Sequence, residues 1–104
     1  MLHIVWEFKA KEERTAEFEA VYGPDGEWAS FFRTGTGYIR TELQAVAGKE
    51  RTYLTVDVWV SREAFEDFQR SWASAYAAID RRCEDLTERE TFLGSYESMD
   101  AKDE

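Results

Sequence analysis

The strongest constraint on the fold is a run of apolar side chains at helical spacing in the second half of the chain. The run recurs at steps of three or four residues and comprises Phe65, Phe68, Trp72, Tyr76, Ile79, Cys83 and Leu86. This spacing places its members on one side of an α-helix, and that side needs a surface to cover it. The pattern predicts a single amphipathic helix of roughly 25 residues, with Ser61 as its N-cap.

Four other segments have the composition or the alternation of β-strands. They are residues 2–9, 38–46, 51–60 and 87–97. Residues 10–22 are rich in good helix formers, and the glycines and proline of residues 23–26 end that helix. Gly94 in the last strand indicates a bulge or a close approach of the backbone.

A short aromatic segment lies between two glycine-rich turns. Trp28, Phe31 and Phe32 are spaced to share one face of a single helical turn, which Asp25 or Gly26 is suited to cap. A helix this short is unstable alone, so the three rings are expected to pack on a neighbouring surface. We expect the role of this segment to be mainly structural.

The order of these elements predicts a fold class. Strand, helix, short helix, two strands, long helix and strand make one domain of residues 1–97, followed by a disordered acidic tail at 98–104. This is a ferredoxin-like split β-α-β pattern of the α+β class. It predicts a four-stranded antiparallel sheet with the helices on one face.

A hairpin loop at residues 47–50 sets the predicted register of the second and third strands. It places Arg40 opposite Asp57 and Tyr38 opposite Trp59, an ion pair and an aromatic pair. The face predicted to meet the helices carries Leu43, Leu54, Val56 and Val58. The other face mixes large aromatic side chains with charges, which is typical of an interface or a ligand cavity. Its members are Tyr38, Arg40, Tyr53, Asp57 and Trp59.

Composition argues against several classes of function. Lys and Arg number 13 against 22 Asp and Glu, and the formal net charge of −9 disfavours nucleic acid and anionic lipid as partners. No apolar run approaches the ~20 residues of a membrane span, and the N-terminus lacks a signal-peptide pattern. The single cysteine permits no internal disulfide and favours a reducing cytoplasm. No metal-ligand spacing is present in the sequence, so no metal site is predicted.

Several stretches taken in order resemble one known family. They are "EFKAKEERTAEFEAVYGPDGEWASFF", "GTGYIRTEL", "YLTVDVWVSREAFEDF" and "TFLGSYE". Together they resemble antibiotic biosynthesis monooxygenase-like proteins of the dimeric α/β-barrel superfamily, over about residues 2–97. The most specific part is the tryptophan-containing strand that turns through Ser61 into a helix.

The resemblance implies a homodimer whose two sheets pack face to face into a barrel, with a cavity between the sheet and the helices of each subunit. Some members oxidise aromatic substrates with dioxygen and without a metal, a flavin or another cofactor. Others degrade haem, and for that they use an asparagine on the first strand with a tryptophan and a histidine on the long helix. Here the first strand has Trp6 and Glu7, the helix has Phe68 and Tyr76, and the one histidine is His3. Haem degradation by that route is therefore not predicted.

Quinone-forming members use an asparagine, a tryptophan and an arginine, and this chain contains no asparagine. Arg40 and Asp57 are the predicted catalytic residues, with Arg40 stabilising an enolate-like anion. An ion pair that merely orders the hairpin is the alternative. The predicted substrate-binding residues are Trp6, Tyr38, Tyr53, Trp59, Trp72 and Tyr76, each with ordinary core packing as its alternative. His3 is expected at the surface and Cys83 in the core.

Two functions follow from these residues and from the resemblance. The leading hypothesis is a cofactor-independent monooxygenase-like protein, or an isomerase, that binds a small aromatic or enolisable metabolite. The protein would desolvate the substrate and stabilise its anion. The alternative is a non-catalytic dimer that binds a metabolite or a partner protein.

Overall fold

The computed structural model describes residues 1–99, and the predicted acidic tail lies outside the described residues from position 100 onward. In chain order the main elements are β1 (Leu2–Ala10), α1 (Thr15–Tyr22), α2 (Glu27–Phe32), β2 (Tyr38–Ala45), β3 (Thr52–Trp59), α3 (Arg62–Ser71), α4 (Ala73–Cys83) and β4 (Thr87–Glu97). Single turns of 3₁₀ helix, Glu12–Arg14 and Glu84–Leu86, precede α1 and β4.

The strands form one antiparallel sheet in the order β2-β3-β1-β4, and the helices pack on one face of it. This confirms the predicted ferredoxin-like α+β fold. The register of β1 with β4 shifts between the pairs Val5–Gly94 and Trp6–Phe92, so β4 carries one extra residue there. Gly94 has a φ of +146°, which L side chains rarely adopt, and the bulge predicted at this glycine is confirmed.

The predicted assignment of the faces of β3 is wrong. Tyr53 packs on Phe18 of α1, and Trp59 packs on Phe68 of α3, with ring centroids 4.9 and 5.2 Å apart. The aromatic face of β3 is therefore the one that the helices cover. The opposite face of this strand carries Leu54, Val56 and Val58.

The error arises in the hairpin loop, which is one residue longer than predicted. Ala45 faces Tyr53, and the Val46 N–H donates to the carbonyl of Thr52 at 2.9 Å. Arg51 belongs to the turn and has a φ of +52°. A slip of one residue exchanges the two faces of a strand, so β3 is inverted relative to the prediction. A second irregularity, after Tyr38, restores the predicted pairing of that residue with Trp59.

The long helix predicted from the apolar run is two helices. Ser61 caps α3 as predicted, because its hydroxyl accepts from the Ala64 N–H at 3.1 Å. The chain bends at Trp72, whose φ of −121° and ψ of 29° lie outside the helical region. The bend turns Trp72 outward, and 48% of this residue is exposed. The prediction of one continuous helix with Trp72 on its buried side is therefore wrong.

The short helix α2 has the structural role predicted for it. Phe32 contacts Trp59 and Phe68, each with a centroid separation of 5.8 Å, and Phe31 contacts Phe68 at 4.9 Å. Trp28 stands at the other end of α2 and packs on Tyr76 of α4 at 5.1 Å. The rings of α2 thus fill the space between the sheet, α3 and α4.

Two tryptophan substitutions distinguish the observed packing from the predicted one. Trp59→Ala is expected to lower the free energy of unfolding by about 3–5 kcal/mol, because Trp59 is fully buried among aromatic rings. Trp72→Ala removes a side chain that is half exposed, and we expect a loss of about 1 kcal/mol or less. Urea unfolding followed by circular dichroism measures both values. Equal losses in the two variants would contradict this packing.

Candidate functional site

A cavity of about 120 Å³ lies between the sheet and the helices. Its lining comprises Trp6, Phe8, Tyr22, Trp28, Phe32, Thr41, Thr55, Asp57, Tyr76, Asp80 and Glu90. All four strands contribute to its floor, and α1, α2 and α4 form its roof. The lining is dominated by aromatic rings with a few polar groups, as is typical of small-molecule sites.

The alternation of the strands brings the floor residues together. Trp6 and Phe8 are two apart on β1, and Thr55 and Asp57 are two apart on β3, so each pair points to one face. The pairing of β2 with β3 then sets Thr41 directly opposite Asp57. One carboxyl group and two hydroxyl groups therefore lie among aromatic side chains.

Asp57 supplies the carboxyl group on the floor of the cavity. Burial of its carboxyl group raises its pKa to about 6, and a hydrogen bond from the Thr41 hydroxyl at 2.7 Å opposes this increase. Among residues 1–99, no lysine, arginine or histidine forms an ion pair with Asp57. A buried carboxyl group without a cation becomes a stronger base than an ordinary aspartate and still ionises near neutral pH.

Thr41 connects Asp57 to Tyr38. The Tyr38 and Thr41 hydroxyl groups are 2.7 Å apart, and the Thr41 hydroxyl also contacts Asp57 Oδ1. A threonine hydroxyl has a single hydrogen, so when it donates to the carboxylate it must accept from Tyr38. The three groups form a chain of hydrogen bonds that orients the ionised carboxylate.

The tyrosines of the roof remain neutral at physiological pH. Burial, followed by the charges of Asp57 and Asp80, raises the pKa of Tyr76 to about 12. Burial also raises the pKa of Tyr22. Both hydroxyl groups therefore keep their hydrogens and can donate to a ligand. Burial and the charge of Asp80 likewise raise the pKa of Glu90.

The structure brings some of the predicted site residues together and separates others. Trp6, Asp57 and Tyr76 line the cavity, and Tyr38 reaches it only through Thr41. The remaining predicted substrate-binding residues lie elsewhere. Tyr53 donates its hydroxyl hydrogen to Glu19 at 2.5 Å, Trp59 is in the core, and Trp72 borders a separate depression beside α3.

The predicted pair of Arg40 with Asp57 is wrong. Arg40 faces Val58 on the opposite side of the sheet, where its guanidinium contacts Glu42 at 2.9 Å. The longer hairpin loop is the cause, because it sets Thr41 rather than Arg40 across from Asp57. Arg40 is therefore not among the residues that line the cavity.

Sequence reasoning missed several lining residues. The helical spacing of Tyr22, Trp28 and Phe32 identified these residues as packed rings. That spacing does not distinguish a residue of the core from a residue of a cavity wall. Nothing in the sequence marked Asp80 and Glu90 as site residues, because they belong to separate elements and are exposed like ordinary surface acids. Their meeting at the cavity depends on how α4 lies over β4.

The remaining candidates take no part in the cavity. Cys83 is buried, as predicted, and His3 is half-buried on β1 opposite Val58. Within residues 1–99, no three His, Cys, Asp or Glu side chains are grouped so that they could hold a metal ion. No helix in this part of the chain is long and apolar enough to cross a membrane.

Substitution of Asp57 by asparagine tests the cost of burying this carboxylate. The folded-state pKa of about 6 lies above the ordinary value of 3.8, so stability falls as the pH rises through 6. Asp57→Asn should therefore raise the free energy of unfolding at pH 7.5, by on the order of 2 kcal/mol, and by only about half as much at pH 5.0, because the loss of stability develops between the two pKa values. Urea titrations at both pH values measure the difference. Asp67→Asn on the exposed side of α3 is the control, with an expected change within ~0.5 kcal/mol. An equal effect of Asp57→Asn at both pH values would contradict the burial of an ionised group.

Solved structures share this architecture over nearly the whole chain. SnoaB from Streptomyces nogalater, described as a cofactor-independent oxygenase, superposes with a TM-score of 0.69 at 23% identity, covering 99% of this chain and 97% of SnoaB. A conserved protein from Methanosarcina mazei superposes with a TM-score of 0.68 at 15% identity, covering 93% of this chain and 91% of that protein. Identities this low show a common fold and do not establish a common reaction.

Comparison of the sequence with known families is more specific. No curated protein matches the chain at significant similarity. The family described as antibiotic biosynthesis monooxygenase matches residues 1–80, which include every lining residue of the cavity except Glu90. The chain therefore belongs to the antibiotic biosynthesis monooxygenase family.

Proposed function

We propose that the protein is a cofactor-independent monooxygenase that acts on a small aromatic or enolisable compound bound in the cavity. The observation that carries this proposal is the half-buried carboxyl group of Asp57, which lines the cavity and has no ion-pair partner among residues 1–99. Membership of the monooxygenase family and the fold shared with a cofactor-independent oxygenase support it.

Asp57 serves as the general base in this proposal. It removes a proton from a CH₂ group next to a carbonyl or an aromatic ring, and the substrate becomes an enolate. The enolate carbon bonds to one oxygen atom of O₂, and the resulting peroxide is protonated to a hydroperoxide. Loss of water from the hydroperoxide leaves a carbonyl group. The overall change is CH₂ + O₂ → C=O + H₂O, in which the substrate supplies all four electrons.

The enolate oxygen needs hydrogen-bond donors, because no lysine or arginine lines the cavity within the described part of the chain. The neutral hydroxyl of Tyr76 and the hydroxyl of Thr55 are the available donors on its roof and floor. Transfer of the proton to Asp57 neutralises the carboxylate as the negative charge appears on the substrate. The net charge of the cavity is therefore unchanged during this step.

The volume of the cavity restricts the substrate. A cavity of roughly 150 Å³ is known to accommodate benzene, and this one measures about 120 Å³. A substrate with one six-membered ring is therefore near the limit that fits without movement. A larger ring system requires displacement of Asp80 and Glu90, which are exposed where α4 meets β4.

We further propose that two subunits associate through the uncovered face of the sheet and the β4 edge. Leu54 and Val56 lie on that face, and Leu93 and Tyr96 on β4 are 44% and 54% exposed. Apolar side chains on an uncovered sheet face or on an edge strand are usually covered by a partner subunit. The family membership supports a homodimer, and the single buried cysteine favours a cytoplasmic location.

A non-catalytic ligand-binding dimer is the second candidate function. The position of Arg40 favours it, because the predicted cation for an enolate lies on the opposite face of the sheet. In this case the cavity binds a metabolite and Asp57 only recognises it. Turnover distinguishes the two candidates.

Oxygen consumption tests the catalytic proposal. The wild-type protein, incubated with a panel of cyclic 1,3-diketones and other small single-ring ketones that carry a CH₂ group next to the carbonyl, should consume oxygen at a rate that rises through about pH 6 and then levels, because ionised Asp57 is the base. Asp57→Asn should lower this rate about 100-fold or more, while Asp67→Asn should not change it. An oxygen electrode measures the rate, and mass spectrometry identifies the oxidised product.

The same experiment can contradict the proposal. If the Asp57→Asn variant consumes oxygen as fast as the wild-type protein, Asp57 is not the base. Compounds that raise the melting temperature without any oxygen uptake would favour the non-catalytic candidate.

Native mass spectrometry tests the dimer. The wild-type chain has a mass of 12.2 kDa, and we expect a species of twice that mass. Val56→Lys places a charge in the proposed interface and should give the monomer with an unchanged circular dichroism spectrum. Glu63→Gln on the exposed side of α3 is the control and should remain dimeric. A wild-type monomer would contradict the proposed assembly.

A further inference from the structure

The cavity combines aromatic walls with an excess of negative charge. Asp57 lies on its floor, and Asp80 and Glu90 are exposed at its opening. Among the described residues that line it, none is a lysine, an arginine or a histidine. None of the three carboxyl groups forms an ion pair with another part of residues 1–99. Three unneutralised acids in one small site create a potential that attracts cations.

Asp80 and Glu90 are close enough to repel one another. Asp80 belongs to α4 and Glu90 to β4, and the charge of Asp80 contributes to the raised pKa of Glu90. The charges of Asp57, Asp80 and Glu90 all act on the Tyr76 hydroxyl, so the three acids surround one wall of the cavity. A cation bound at the opening would relieve this repulsion.

Aromatic faces next to the acids suit an organic cation. Trp28 packs on Tyr76 with ring centroids 5.1 Å apart, and Tyr22 lies 6.3 Å from Trp28, so the rings of three helices meet at the cavity roof. The faces of such rings attract ammonium groups and also accept hydrocarbon. A metal ion, by contrast, needs several converging oxygen or nitrogen ligands.

Trp28 gives an independent indication that the cavity is built for a ligand. The residue is only 7% exposed and lines the cavity, and its indole Nε1 has no hydrogen-bond partner among residues 1–99. The indole lies beside Tyr22, with ring centroids 6.3 Å apart, but no hydrogen bond joins the two side chains. A buried donor without a partner is costly, and the carbonyl oxygen of an enolisable ligand would satisfy it.

We propose that the cavity selects a compact organic cation: a protonated primary amine attached to a single ring, with the ring among the aromatic side chains and the ammonium between Asp80 and Glu90. This inference rests on the proposed function in taking the cavity as the substrate site. In that arrangement the reacting carbon lies toward Asp57 on the floor. The ammonium group provides the positive charge that the cavity itself lacks when an enolate forms.

Binding of three probes that share one ring tests this selectivity. The probes are benzylammonium, benzyl alcohol and benzoate, which differ in charge and little in size. At pH 7.5 and low salt, isothermal titration calorimetry should give a dissociation constant for benzylammonium about tenfold below that for benzyl alcohol. Benzoate should bind most weakly. The preference should decrease as salt is added, because Asp80 and Glu90 are exposed and are screened.

Variants at the opening locate the effect. Asp80→Asn combined with Glu90→Gln should remove the preference for benzylammonium, because it weakens the binding of the cation much more than the binding of benzyl alcohol. The control combines Glu63→Gln with Glu66→Gln, which makes the same change in net charge on the exposed side of α3. It should retain the preference, so that a long-range effect of net charge is excluded.

The titratable groups around the site decide the expected pH dependence. The titratable groups that surround the cavity are Tyr22 on α1, Tyr38 on β2, Asp57 on β3, Tyr76 and Asp80 on α4, and Glu90 on β4. Burial raises the pKa values of the tyrosine hydroxyl groups, which stay neutral near neutral pH, and it also raises the pKa values of Asp57 and Glu90, so protonation of these two carboxyl groups is what changes. The preference for benzylammonium should therefore decrease between pH 7.5 and pH 5.0.

Several results would overturn this inference. They are equal affinities for benzylammonium and benzyl alcohol, tighter binding of benzoate, no binding of any probe, and a preference that persists in the variant at the opening. The inference and the proposed reaction fail separately. Oxygen consumption without a cation preference would refute only the inference, whereas a cation preference without turnover of any ring-bearing amine would refute only the reaction.

Discussion

The packing of aromatic rings around Trp59 holds the helices on the sheet, and the rest of the structure depends on it. Phe32, Phe65 and Phe68 surround this ring with centroid separations of 5.2 to 5.8 Å. Because side chains alternate along a strand, a tryptophan that points toward the helices obliges Asp57 to point the same way. The packing that stabilises the domain thus also places a carboxyl group inside it.

The ionised carboxyl group of Asp57 lowers the stability of the folded protein. An apolar residue at position 57 would fill the cavity without desolvating a charge. Within the part of the chain that the structure describes, a single hydrogen bond, from Thr41, compensates the carboxylate. Groups retained at such a cost are concentrated in functional sites, where perturbed acidity and a partly empty cavity are useful. An aspartate at position 57 therefore both supplies the proposed general base and leaves part of the cavity unfilled.

The fold and the chemistry of this protein have different origins. Its architecture is shared with relatives at 15% to 23% identity, so very different side chains can form the same sheet and helices. The acids at the cavity opening do not follow from the architecture. Asp80 and Glu90 are exposed, and the packing of the core does not require them. These two positions can therefore determine which ligand charge the cavity prefers without affecting the fold.

The sequence by itself determined the order and type of the elements, the N-cap at Ser61, the bulge at Gly94 and the α+β class, because each depends on local periodicity or on the preference of one residue. Trp6, Asp57 and Tyr76 could be identified as site candidates, since aromatic and acidic side chains in a sheet-and-helix protein are unusual enough to notice. The tertiary structure alone decided the register of β3 and the bend at Trp72. One residue in a loop inverts a strand, and no glycine or proline near Trp72 marks the bend. It also decided which acids meet at the cavity, because that depends on how distant segments pack and not on any pattern within them.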